Sequence, residues 1–209
     1  MLVALKVPLG ASLIEMMITM TLGLVSLSTV ASLVGYGVGV NAKLLENSRL
    51  SQEVMAIGSL LSRDLRRAGY SASTAAMVSD PTNFPSVFSN SIAVSAYPDE
   101  ASNSCIVFAY DRNGNGILDT IDGNENFGFR LKDGAVEIRI DGASCVDNGW
   151  ENLSDDQVLE ITQLTFVLNQ TIDNAVVSTW LSISLQGELS KNNQLSRQFT
   201  SSFMVRNYD

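Results

Sequence analysis

The sequence predicts an α+β fold: one long N-terminal helix packed on a mostly antiparallel β-sheet domain. Three observations carry this. No proline occurs between Pro8 and Pro81. Within that stretch an apolar run gives way to an amphipathic one. Beyond it, short strand-like runs alternate with turn residues up to the last residues of the chain.

The helix comes first. Met16 to Ala42 is a run of 27 residues without a charge, and about 20 apolar residues span a bilayer core. Ser12 to about Ala68 reads as a single helix, about 85 Å long at 1.5 Å per residue. Its first half is apolar all round. In its second half Leu50, Val54, Ile57, Leu61, Leu65 and Ala68 recur at spacings of three and four. Lys43, Glu46, Arg49, Glu53, Arg63, Asp64, Arg66 and Arg67 take the other faces, and Gly69 is a natural stop. Gly35-Tyr36-Gly37-Val38-Gly39 interrupts the pattern near the outer membrane exit. Two readings stay open there: close helix packing through small residues, or a weak point where the helix melts or bends.

Ser71–Asn90 reads as a loop, with small residues, Pro81, Pro85 and no period. About seven strands follow. Ile92, Val94 and Ala96 alternate. Cys105–Tyr110 has the look of a buried run. Phe127–Leu131 and Ala135–Ile140 flank Asp133-Gly134, a hairpin signal. Val158–Leu168, Val176–Leu185 and Gln198–Val205 complete the set. Asp173-Asn174 and Lys191-Asn192-Asn193 supply the turns between them.

Composition narrows the function. The chain has 209 residues and a net charge of −9. It carries no basic stripe, so direct nucleic-acid binding is not expected. There is no histidine. That removes Ser-His-Asp and Cys-His catalysis and histidine-ligated zinc, and the chain is not expected to be an enzyme. The two cysteines, Cys105 and Cys145, both fall in the polar domain. An even count there suggests one disulfide in an oxidising compartment. The alternative is two buried thiols. A loop of about 40 residues closed by such a bond adds about 3–4 kcal/mol in the chain-entropy model.

The N-terminus carries the sharpest motif. Gly10 precedes Ala11-Ser12-Leu13-Ile14-Glu15, and Glu15 is a lone acid at the head of an apolar span, where an ionisable group is costly. This pattern resembles the class III signal of type IV prepilins and type II secretion pseudopilins. The resemblance implies a leader over 1–10 cut after Gly10 by a prepilin peptidase. It also implies a new N-terminus at Ala11, where the family usually has Phe, and Glu15 as fifth residue. In the family that Glu pairs with the N-terminal amine of a neighbouring subunit. A membrane or filament-core segment over 11–42, an amphipathic helix over 43–69 and a β-rich domain over 70–209 follow, the lollipop architecture of pilins. Three plainer readings compete: a helix capping box from Ser12 to Glu15, a conventional signal peptide cut near Ala31, and an ordinary membrane anchor.

Further runs resemble minor pilins of the PilW type: Arg63-Asp64-Leu65-Arg66-Arg67-Ala68-Gly69-Tyr70, Cys105–Asp111, Phe127–Leu131, Cys145 with Trp150-Glu151, Ile161–Phe166 and Phe203–Asn207. Those proteins are related to the J pseudopilin of type II secretion. The resemblance implies a minor pilin that initiates or caps a type IV pilus. Its partners would be other minor and major pilins. It would sit in the inner membrane of a Gram-negative-type bacterium with a periplasmic domain, and then in the pilus. A J-type pseudopilin and a calcium-dependent tip adhesin are the alternatives.

One local motif suggests a metal. Asp111 to Asp122 resembles the twelve-residue calcium loop of EF-hands and dockerins. Asp111, Asn113, Asn115, Asp119 and Asp122 supply side-chain oxygens, and Ile117 a carbonyl. Gly116 permits the sharp turn. Asp122 stands where Glu is usual, and the flanks are strands. The alternative is an Asn-Gly-rich turn that binds nothing.

Overall fold

The computed structural model describes residues 10, 12–80, 82–173 and 176–205. The chain forms two compact units, Met1–Glu46 and Asn47–Asp209.

The first unit is helical. Helix α1 (Leu13–Leu65) begins there, with the Ser12 carbonyl accepting from the Glu15 and Met16 amides at 3.0 and 3.1 Å. Its apolar window has a mean hydropathy of 1.8 and no buried residue, so it is long and apolar enough to cross a membrane. Ser and Thr hydroxyls in this run, such as Ser26 and Ser32, donate back to carbonyls four residues earlier. That satisfies their polar groups within the helix itself. The helix passes unbroken through Gly35, Gly37 and Gly39, and open space surrounds each.

The second unit holds the rest of α1, a short helix α2 (Thr74–Ser79) and two antiparallel sheets. The first sheet is a five-stranded meander in the order β1 (Ala93–Ser95), β2 (Cys105–Ala109), β3 (Asn126–Lys132), β4 (Ala135–Arg139) and β5 (Trp150–Asn152). The second is a three-stranded meander of β6 (Leu159–Asp173), β7 (Val176–Leu189) and β8 (Asn192–Val205). Strand β6 meets the first sheet through two backbone bonds, Ile161 to the Gly134 carbonyl and Phe166 to the Asn103 carbonyl.

The amphipathic stripe of α1 is the core face. Leu50, Val54, Ile57, Leu61 and Leu65 are all buried, and they join Leu164, Phe166, Leu181, Ile183 and Leu185 of the second sheet in one cluster. Close approach is set by two glycines. A Cβ at Gly58 would overlap the Phe199 ring, and one at Gly187 would lie 3.3 Å from Val54. Ile106, Phe108, Phe129 and Leu131 carry the core into the first sheet.

Several features differ from expectation, among them the ends of β6 and β7, which run on to Asp173 and Leu189. Helix α1 ends at Leu65, and Arg66 to Gly69 continue as turns. The i−3 bonds of Arg67, Ala68 and Tyr70 tighten this end. Gly69, at φ 78°, then turns the chain so that its N–H reaches the Ala109 carbonyl. The Ser71–Asn90 segment contains α2, a helix without an amphipathic period to announce it. Eight strands form, not seven; β5 is three residues long and too short to show alternation. Strand β8 begins at Asn192, inside the expected turn, so Ser190 and Lys191 alone make the bend. Between β3 and β4, Asp133 and Gly134 both take positive φ, the geometry of a tight two-residue hairpin. Asn174 of the other expected turn lies outside the described residues.

Candidate functional site

Three places carry the residues singled out by sequence. The first is the N-terminal end of α1. Glu15 occupies the first helical turn and is exposed. Backbone N–H groups there favour a negative charge. Among the described residues the Glu15 amide donates to the Ser12 backbone carbonyl rather than to its hydroxyl, and the Glu15 carboxylate accepts nothing from the Ser12 amide, so the capping box is not closed and the carboxylate is open to a partner. Gly10 is exposed. Ala11 lies outside the described residues.

The second place is the loop between β2 and β3. Asp111 is its pivot, 1% exposed. One carboxylate oxygen accepts from the amides of Gly114 (2.6 Å) and Asn115 (3.1 Å). The other accepts from Gly116 (2.8 Å) and from Ala72 (2.9 Å), which belongs to the segment after α1. Burial pushes the Asp111 carboxyl up, but these four amides outweigh it and hold the group below the usual carboxylate range. Gly116 sits at φ 74°, and a side chain there would strike the Ser73 hydroxyl. The position therefore needs glycine twice over.

Asn113 and Asn115 converge on Asp119. Their amide nitrogens donate to the same Asp119 oxygen at 2.7 and 2.9 Å. Their own carbonyl oxygens accept from the Asn115 and Ile117 amides, closing two Asx turns. The structure thus brings Asp111, Asn113, Asn115 and Asp119 into one bonded loop. Ile117 and Asp122 are exposed. Among the described residues no three acidic or sulfur side chains converge as a metal group.

Sequence reasoning missed Glu125. It is fully buried, and its carboxylate accepts from the amides of Arg112 (2.6 Å), Asn113 (3.3 Å) and Asp119 (3.3 Å). Asp111 and Glu125 together act as two anchors that satisfy the loop's backbone donors. Glu125 lies three residues past the twelve-residue pattern, so a template of that length cannot find it.

Cys105 and Cys145, the third place, are joined in a disulfide. Beside it lies a second feature not anticipated, a buried ion pair. Arg130, 2% exposed, meets Glu137 at 2.6 Å across the β3–β4 pair. Its guanidinium also lies 4.7 Å from the Tyr97 ring and 4.6 Å from that of Trp150. Only its position in a strand of buried apolar residues could have hinted at this.

The sequence profile of a family described as Prepilin peptidase-dependent protein B matches residues 43–205. The chain belongs to this family. Comparisons with curated proteins and with solved structures found no significant match. The matched region begins at residue 43 and leaves out Gly10–Glu15. The N-terminal motif and the family match are therefore separate observations. Both point to a pilin-like protein of the prepilin-peptidase-dependent kind, and the fold of long helix and antiparallel sheets agrees with it.

Proposed function

We propose that this member of the Prepilin peptidase-dependent protein B family is a minor pilin of the PilW type, acting at the initiation or the tip of a type IV pilus. The observation that carries the reading is the exposed carboxylate of Glu15, in the first turn of a helix whose apolar window buries no residue. Such a helix gains by leaving lipid for a bundle of similar helices, and a carboxylate near its start needs a cationic partner there. The amine of a neighbouring processed subunit has that chemistry.

In this reading prepilin peptidase cuts after Gly10 while the helix spans the inner membrane. The β-domain then selects other minor and major pilins outside the cytoplasm. The chain does its work by assembly and turns over no substrate. Calcium binding is part of the proposal: Asp111, Asn113, Asn115, Ile117, Asp119 and Asp122 would hold the ion. It would neutralise Asp119, which two asparagine amides now serve.

Deleting the chain in its native host tests the reading. Few or no pili should form while the major pilin is still made and processed. Normal pilus numbers with failed protein secretion would overturn it in favour of a J-type pseudopilin. Normal pili with lost adhesion would overturn it in favour of a tip adhesin.

A further inference from the structure

Three arginines share one cleft. Arg66, Arg67 and Arg112 line a space of about 460 Å³ together with Tyr70, Asp111 and Asn113. Arg66 and Arg67 come from the turn after α1, and Arg112 from the loop after β2. Each lies over an aromatic ring: Arg66 is 4.3 Å from Phe203, Arg67 4.4 Å from Tyr110, and Arg112 5.9 Å from Phe127. Tyr110 and Phe127 themselves stack at 4.2 Å. Stacking holds the face of a guanidinium and leaves its N–H edge free to bind.

Among the described residues no carboxylate forms an ion pair with these three guanidinium groups; the ion pairs there are Arg63–Asp64 and Arg130–Glu137. Among the described residues that line the cleft the one acid is Asp111, and four backbone amides already occupy its oxygens. A local surplus of cations therefore sits on a chain of net charge −9.

We infer that this cleft binds a short acidic segment of a protein partner, with one or two Asp or Glu side chains entering among the guanidinium edges. The planar fork of arginine matches a carboxylate bidentately. An extended polyanion such as nucleic acid or an anionic bilayer would meet the repulsion of the whole acidic chain. A short segment is different. At physiological salt, charges more than about 8 Å away are largely screened, so it meets chiefly the cleft. The inference does not depend on which filament system the chain serves.

The test uses the full chain in neutral detergent micelles, titrated calorimetrically with acetyl-Glu-Glu-Glu-amide at low salt. Binding is expected, with affinity falling at least 10-fold between 50 and 500 mM NaCl. Acetyl-Gln-Gln-Gln-amide should give no heat. Arg66→Gln with Arg112→Gln should weaken binding at least 10-fold. Arg67→Lys, which keeps the charge and loses the fork, should weaken it about 3-fold, and Arg49→Gln should change nothing. If the double variant fails to fold, Arg112→Gln alone serves, since it alters one exposed side chain. Absence of heat with the glutamate peptide would overturn the inference. So would equal binding of the glutamine peptide, or unchanged affinity in the arginine variants. Inorganic phosphate binding more tightly than the peptide would show a phosphate site instead.

Discussion

Arg130 grips Cys145 from across the first sheet: its Nη1 donates a 2.8 Å hydrogen bond to the Cys145 carbonyl. Cys105, the register partner of Arg130 on β2, closes the disulfide to that same Cys145. The long connection after β4 is therefore tied down twice at one residue, once covalently and once through a charged donor. A second bond from the same Nη1 to the Asp147 carbonyl, at 2.9 Å, extends the hold.

Removing this arginine should be costly. Arg130→Ala leaves Glu137 as an unpaired buried acid, and such losses are about 3–5 kcal/mol. Arg130→Met with Glu137→Leu should recover part of the loss, because no orphan charge remains. Urea unfolding of the two variants at neutral pH decides it. Equal stability of Arg130→Ala and wild type would mean that the pair contributes nothing.

Cys105→Ser should lower stability by about 2–5 kcal/mol. The Arg130 bond to the Cys145 carbonyl survives that change, so the folded state should persist in a weakened form. Thermal melts with and without reductant measure the effect. Wild-type protein treated with reductant should fall to the level of the variant.

Asp111 makes stability depend on acid. Its folded carboxyl titrates below the usual range, because its four amide donors outweigh the upward push of burial. Its contribution is therefore complete above the ordinary carboxylate value of about 3.9 and is lost as pH falls through the lower folded value. Asp111→Asn should flatten this part of the pH profile and cost about 1–3 kcal/mol at pH 7 through unmet amides. Denaturant midpoints between pH 7 and 2.5 give the comparison. Identical slopes in the two proteins would contradict the assignment.

Calcium should raise the melting temperature in the millimolar range, and magnesium should do much less. Asp122→Asn is the informative change, because Asp122 is exposed and does not anchor the loop as Asp111 does. It should remove most of the calcium shift without altering the melt in chelator. If calcium produces no shift at all, the segment is a turn whose asparagines and two buried acids suffice.

Glu15→Ala should insert into the membrane and be cleaved after Gly10 as wild type is. It should then enter pili poorly. Immunoblots of sheared pili against whole-cell protein measure the ratio. Wild-type incorporation would show that the acid serves only its own helix end.

Much of this was visible in the sequence because it rests on local signals. The stripe from Leu50 to Leu65 repeats at helical spacing, and the Asp133-Gly134 pair announces its own hairpin. The loop from Asp111 to Asp119 was visible as a cluster of asparagines and glycines around a leading acid. What stayed hidden depends on distant partners. Glu125 acquires its role from amides thirteen and twelve residues back. Arg130 is explained only when β2, β4 and the Cys145 segment arrive beside it. The three-arginine cleft joins a helix end to a loop more than forty positions later, and no window along the chain spans both.

The turn that follows α1 is stitched to β2 and the residues just past it at two points, Gly69 N–H to the Ala109 carbonyl and Asp111 N–H to the Tyr70 carbonyl. Mechanically, this makes the helix end a load point. Tension arriving along α1 passes through these bonds into β2, the strand that carries Cys105. The disulfide then withholds the segment up to Cys145, 40 residues on. That is about 130–145 Å of slack that force cannot draw out while the bond is intact. Oxidation of one cysteine pair therefore sets how far the domain stretches before it breaks.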